Sequence, residues 1–205
     1  MKVLLIRHGM TKGNAEKRFI GITDEPLSEV GRQQLLQYKK QGKYPEADVL
    51  FSSPLKRCLQ TAKLLYPALY EEKTLIENFR ECNFGIFENK NHQELNGNKV
   101  YQKWIDAGGE ETFPGGENPT DFKKRSIAGF KAMLRTVRNA GQGYGNSAVL
   151  KEEMSQQTIA AIVHGGIIMA VLEHYAKDGR KFYDFHTENG EGYILCPETG
   201  EIREL

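Results

Sequence analysis

The sequence has no long apolar run, no paired cysteines and almost no net charge, and each shortage closes off a class of function. Before Arg7 its N-terminal apolar stretch is only Val3-Leu4-Leu5-Ile6, far short of a signal-peptide core or a membrane span. A soluble, cytoplasmic protein with no membrane partner is the expectation. Cys58, Cys82 and Cys196 are odd in number, widely spaced and never in a C-x-x-C pair. Free thiols in a reducing compartment are therefore expected rather than a disulfide framework. Lys and Arg total 28 against 27 Asp and Glu, so no overall field exists to hold nucleic acid or an anionic membrane. Any anionic ligand has to be gripped by a local cluster.

What is present is an alternation of strand and helix patterns. A chain of 205 residues suits one domain with a full core, spanning 1–205. Val3 to Ile6 reads as a strand buried on both faces. Ser28 is a candidate N-cap for an amphipathic helix through about Lys40. Ala47 to Phe51 reads as a second strand, with Pro54 at the first position of a helix whose first turn holds Arg57. Thr74 to Ile76 gives a third strand, and a helix is expected from about Asn91 to Ile105. The loop Ala107 to Asn118 has the composition of a lid or insertion. A long helix runs from Pro119 to Ala140, ended by Gly141, Gly143 and Gly145. Thr158 to Val163 is a buried strand, His164-Gly165-Gly166 a tight turn, and Ile167 to Tyr175 an apolar helix. Gly192 to Cys196 and Glu201 to Leu205 read as a closing hairpin. The fold class is α/β, with a mostly parallel central sheet, helices on both faces, and a helical and loop lid around residues 78–118.

In a parallel sheet, ligands bind in the crevice outside the carboxyl ends of the strands. Arg7-His8-Gly9 and His164-Gly165-Gly166 both fall there, each histidine followed by a glycine that leaves room for close approach. Arg7 and Arg57 add two guanidiniums suited to bidentate grip on phosphate oxygens. A cation in the first turn of a helix opposes the helix dipole, so Arg57 itself hints at a nearby anion. A neutral imidazole attacking phosphorus gives a phosphohistidine, which splits one displacement into two. A carboxyl group can serve as acid in the first step and base in the second. By spacing alone Glu77, Glu81 and Glu88 compete for that role, the others being plain surface carboxylates.

These residues form a recognisable pattern: Arg7-His8-Gly9-Met10-Thr11 with Asn14, Pro26-Leu27-Ser28 with Gly31, Ser52-Ser53-Pro54 with Arg57, Glu81-Cys82-Asn83-Phe84-Gly85, and His164-Gly165-Gly166. In this order they resemble the histidine phosphatase superfamily, the phosphoglycerate mutase-like proteins, over almost the whole chain. The resemblance implies the phosphoglycerate mutase-like fold, His8 as nucleophile, Arg7, Arg57 and His164 as the phosphate pocket, and Glu81 as proton donor. It also implies phosphoryl contacts from Asn14 and the backbone of Gly165, and substrate contacts from Thr11, Ile20 and Gly21. No metal and no cofactor are implied. The segments Phe79-Arg80-Glu81 to Phe84-Gly85 and Phe113 to Glu117 look like the shorter phosphatase branch, which includes α-ribazole phosphatases. Phe87-Glu88-Asn89 stands where that branch usually has Trp-Glu-Gly, and Met169 where an arginine is common.

The function so implied is hydrolysis of a small phosphomonoester. The alternatives are a cofactor-dependent phosphoglycerate mutase and, from another class, a non-catalytic phosphate-binding protein. No C-x5-R loop is present to support a thiol nucleophile at Cys58 or Cys82. His92, His174 and His186 show no metal-ligand spacing and read as core or surface residues.

Overall fold

The computed structural model describes residues 1–109, 111–142 and 157–205, with backbone alone at 141 and 142. Its centre is a six-stranded sheet in the order β3-β2-β4-β1-β5-β6. The strands are β1 (Lys2–Arg7), β2 (Val49–Ser52), β3 (Thr74–Leu75), β4 (Thr158–Val163), β5 (Gly192–Cys196) and β6 (Glu201–Glu204). β1 pairs with β4, and β2 with β4 and β3, all in parallel; β5 runs antiparallel to β1 and β6 antiparallel to β5. The helices are α1 (Lys12–Ala15), α2 (Glu29–Lys40), α3 (Lys56–Leu65), α4 (His92–Leu95), α5 (Lys99–Asp106), α6 (Pro119–Gln142) and α7 (Gly165–Tyr175).

Strand alternation builds two cores from one sheet. Val3 and Leu5 of β1 join Ile159, Ala161 and Val163 of β4 on the face covered by α6 and α7. Leu4 and Ile6 join Leu50, Ala160 and Ile162 on the opposite face, beneath α2 and α3. The helices thus lie on both faces, as the α/β pattern implies. The carboxyl ends of β1, β2 and β4 then emerge side by side, and the amide of His8 extends the ladder to the carbonyl of Val163 at 2.9 Å.

Several boundaries differ from the sequence expectation for local reasons. The helix expected over 91–105 is two, α4 and α5, because Gly97 adopts φ +77 and Asn98 starts a new helix by accepting from the amides of Val100 and Tyr101. Pro54 is not the first residue of α3; Leu55 is the N-cap and Ser53 accepts weakly from the Leu55 amide. Gly165 and Gly166 do not form a turn before α7 but are its first two residues, with His164 at the N-cap. α6 continues past Gly141 to Gln142, and Gly143 and Gly145 lie outside the described residues. Among the described residues no helix is long and apolar enough to cross a membrane.

One close approach fixes the entry to α2. The Gly31 amide donates to Ser28 Oγ at 3.0 Å, and a Cβ added to Gly31 would lie 2.1 Å from the Met10 carbonyl oxygen. Helix propensity alone favours Gly31→Ala by about 1 kcal/mol. Overpacking against rigid backbone costs about 1–3 kcal/mol, so the variant is expected to unfold at lower urea than the parent. A higher midpoint would show that the Met10 backbone yields freely.

Candidate active site

The sheet brings Arg7, His8, Arg57 and His164 to one point. The His8 and His164 rings meet edge to face with centroids 5.1 Å apart, and both are almost fully buried. Arg57, from the first turn of α3, is also fully buried. Its Nε donates to His164 Nδ1 at 3.3 Å, one terminal nitrogen to the Thr23 carbonyl at 2.7 Å, and the other to the carbonyls of Gly21 and Ile20 at 2.8 and 3.4 Å. Arg7 donates through Nη1 to the Thr187 carbonyl at 2.5 Å. Its Nε is a buried side-chain N–H with no partner among the described residues.

These bonds settle both imidazole tautomers. The His8 Nδ1 lies 2.8 Å from the Gly9 carbonyl oxygen, an acceptor only, so Nδ1 carries the proton. In the neutral ring the lone pair is then on Nε2. At His164 the order is reversed: Nδ1 accepts from Arg57, so Nε2 donates to Ser53 Oγ at 2.9 Å. Burial, reinforced by the charges of Arg57 and Arg7, holds the His8 pKa well below its ordinary 6.5. Burial, then Arg57 and His8, does the same at His164.

Glu81 stands beside this cluster, buried, with Oε1 accepting from the Cys82 amide at 2.9 Å and Oε2 from the Gly166 amide in the first turn of α7 at 3.1 Å. Burial pushes its pKa above the ordinary 4.5, against the pull of the two amides and the two arginines. Gly166 has to lack a side chain, since a Cβ there would lie 2.5 Å from Glu81 Oε1. A deeply placed carboxyl with a raised pKa, next to a neutral imidazole with a free nitrogen and two guanidiniums, is equipped for proton transfer around a bound anion.

The profile of the histidine phosphatase superfamily, branch 1, matches residues 3–204. The chain belongs to this superfamily. A probable phosphoglycerate mutase of Escherichia coli O1:K1, GpmB, is 29% identical over 147 residues, covering 70% of this chain and 66% of that protein. Its counterpart in Escherichia fergusonii is 30% identical over 138 residues, covering 65% and 63%. The chain therefore matches about two thirds of the length of these curated relatives. Among solved structures, a putative alpha-ribazole-5'-P phosphatase from Escherichia coli K-12 shares the fold at TM-score 0.77, with 20% identity over 100% of this chain and 94% of that one. A phosphoglycerate mutase from Thermus thermophilus aligns at TM-score 0.64 and 26% identity, over 95% and 92%. Members of the superfamily are enzymes, phosphatases and mutases among them.

The remaining residues picked out in the sequence stand behind or beside the cluster of Arg7, His8, Arg57 and His164. Asn14 Oδ1 accepts from the Thr11 amide and from Asn189 Nδ2, which also donates to the His8 carbonyl at 3.0 Å. Thr11 spends its hydroxyl on the N-cap of α1, accepting from the Asn14 amide at 3.1 Å. Ile20 and Gly21 offer their carbonyls to Arg57. Gly165 sits against Arg7, where an added Cβ would be 3.5 Å from Nε. Among the described residues no group of three or more His, Cys, Asp or Glu side chains is placed to hold a metal ion.

Three residues that matter, Asn189, Thr61 and Arg125, were not singled out. Asn189 ties Asn14 to His8, and Thr61 ties the Gly9 amide (3.0 Å) to the Arg57 carbonyl (2.7 Å). Arg125 commits all its N–H groups: Nε and Nη2 grip Glu117 at 2.6 and 2.8 Å, and the rest hold the carbonyls of Asn78, Arg80 and Glu81. The Glu117 and Arg125 pair thereby clamps the segment that carries Glu81. Only Thr61 left a signal, a polar side chain on the apolar face of α3.

Glu88 is not the plain surface carboxylate that spacing alone allowed. It accepts from the amides of Gly21, Ile22 and Phe84 at 3.2, 3.0 and 3.1 Å and from the Thr23 hydroxyl at 2.7 Å. That fixes the loop whose carbonyls hold Arg57. Beneath it, Phe19, Phe84, Phe87, Trp104 and Phe113 pack edge to face or tilted, with centroids 4.9–6.5 Å apart. Glu88→Ala is expected to speed amide hydrogen exchange at Gly21, Ile22 and Phe84 while leaving β1 and β4 protected. Unchanged exchange at those three amides would remove Glu88 from this role.

Proposed function

We propose that the protein hydrolyses a small phosphomonoester through a phosphohistidine on His8. The observation that carries this reading is the bonding of the two buried arginines. Arg57 is fully buried, yet all its partners are neutral: three carbonyls and an imidazole. Arg7 presents beside it a buried Nε that is unpaired among the described residues. Buried cations are normally matched by a carboxylate. Two such cations, a helix N-terminus and a neutral histidine together suit a phosphoryl group, whose charge they spread in an in-line transfer.

In this reading His8 Nε2 attacks phosphorus as the bond from phosphorus to the ester oxygen breaks, and protonated Glu81 delivers its proton to the departing oxygen. Water then attacks the phosphohistidine. Glu81, now a carboxylate, takes the water proton, the bond between nitrogen and phosphorus breaks, and inorganic phosphate leaves. Arg7, Arg57 and His164 hold the phosphoryl oxygens, and Asn14 and the Gly165 backbone border them. Thr11, Ile20 and Gly21 support the pocket through a helix cap and through carbonyls rather than by side-chain contact. Passage of the phosphoryl group back to a glycerate acceptor instead of water would make the protein a mutase, as the names of its relatives say of them. Comparing free phosphate release with phosphoglycerate interconversion separates the two.

The carboxyl role gives a pH signature. Glu81 must be protonated to act as acid, so activity falls as pH rises through its raised pKa. His8 must be neutral, and burial keeps it so until well below pH 6.5. Glu81→Gln is expected to abolish the alkaline limb of kcat/KM. It should slow an alkyl phosphate by about 10²–10⁴-fold and p-nitrophenyl phosphate, with its good leaving group, far less. An equal loss for both esters, with the limb retained, would assign the acid elsewhere.

A further inference from the structure

The parallel ladder between β1 and β4 runs out at His8, whose amide donates to the Val163 carbonyl at 2.9 Å. The next amide, that of Gly9, is buried and needs an acceptor that the sheet no longer supplies. It turns to α3 and donates to Thr61 Oγ1 at 3.0 Å. The carbonyl of the same His8-Gly9 peptide accepts from Asn189 Nδ2 at 3.0 Å and from the Gly190 amide at 3.2 Å. This one peptide unit is thus held at both of its polar ends.

Thr61 is itself fully buried. Its hydroxyl proton goes to the Arg57 carbonyl, one turn back in the helix, at 2.7 Å. That bond alone is an ordinary habit of threonine in a helix. With the proton spent there, only a lone pair is left to face Gly9, so the direction of both bonds is fixed. Leu27 and Leu35 close the other side of Gly9: an added Cβ would lie 2.6 Å from Leu35 Cδ1 and 3.3 Å from Leu27 Cδ2. The Gly9 carbonyl, so placed, is the acceptor for His8 Nδ1 at 2.8 Å. Where that carbonyl points, the imidazole follows, and Nε2 with it.

We propose that Thr61 is a positioning residue for the nucleophile. Its hydroxyl fixes the His8-Gly9 peptide and, through the Gly9 carbonyl, holds the His8 ring with Nε2 aimed at a phosphorus gripped beside Arg57. The same hydroxyl bonds the backbone of Arg57, so the attacking nitrogen and the guanidinium share one reference point. This rests on the hydrolytic reading above and deepens it. A misplacement of about 1 Å between reacting groups can cost about 10²-fold in rate. Thr61 touches neither the phosphoryl group nor the ring, and it governs the rate of transfer rather than the grip on phosphate.

The test compares the parent with Thr61→Val, which keeps the shape and removes the hydroxyl, and Thr61→Ser, which keeps the hydroxyl. With p-nitrophenyl phosphate, kcat/KM should fall about 10- to 10²-fold in Thr61→Val, and Thr61→Ser should restore most of it. Competitive inhibition by inorganic phosphate should stay close to the parent in both. Nitrogen NMR should show His8 as a single Nδ1-protonated tautomer in the parent and in Thr61→Ser, and as a mixture in Thr61→Val. In the parent the Gly9 amide should exchange as slowly as the amides of β1, a reading that needs no variant. Parental kcat/KM or an unchanged His8 spectrum in Thr61→Val overturns the inference while leaving hydrolysis standing. So does a Thr61→Ser enzyme as slow as Thr61→Val, a loss matched in full by weaker phosphate inhibition, or a fast-exchanging Gly9 amide. No phosphate release by the parent rejects the hydrolytic reading and, with it, the positioning of a nucleophile.

Discussion

The architecture of the site follows from burying the Arg57 guanidinium without a carboxylate. A charge taken out of water has to be met by hydrogen bonds or by an opposite charge. Here the Thr23, Gly21 and Ile20 carbonyls and the His164 ring meet it. Each of those groups has to be held in turn. Glu88 fixes the loop bearing the carbonyls, Ser53 fixes His164, and Thr61 ties the helix of Arg57 to the strand end of His8. The result is a rigid, strongly positive point at the carboxyl edge of the sheet, with an imidazole nitrogen beside it whose lone pair is free.

The same constraint explains why Glu81 is protonatable where it sits. A carboxylate in full contact with Arg7 or Arg57 would form an ion pair and hold its proton poorly. Instead Glu81 binds two backbone amides, and burial outweighs them. The segment that carries it is held by the clamp of Glu117 on Arg125, which grips the carbonyls of Arg80 and Glu81. Glu88 and the start of α7 then tie the carboxyl and the arginines together: Glu88 holds both the Phe84 amide and the loop that binds Arg57, while Glu81 bonds Gly166 and Arg57 bonds His164.

Much of this was legible in the sequence because it depends on local rules. Apolar runs of four to six residues gave the central strands, Ser28 marked the start of α2, and the order of five short motifs gave the superfamily. The pieces that escaped depend on contacts between distant segments. Nothing near Asn189 in the chain shows that it will meet Asn14, and Glu88 looked exposed because its donors at Gly21, Ile22 and Thr23 lie more than sixty residues earlier. The break between α4 and α5 was present in Asn96-Gly97-Asn98, but the apolar periodicity around it masked the left-handed glycine.

The most direct test of the central claim is to trap the covalent species. With p-nitrophenyl phosphate, Glu81→Gln should still lose the leaving group but lack the base for water, so phosphoryl-enzyme should accumulate. Quenching in alkaline denaturant and mapping the peptides by mass should then find one acid-labile phosphoryl group on His8, and none when His8→Ala is added. Phosphate release that survives His8→Ala at the parent rate, or a phosphoryl group on another side chain, would contradict the account.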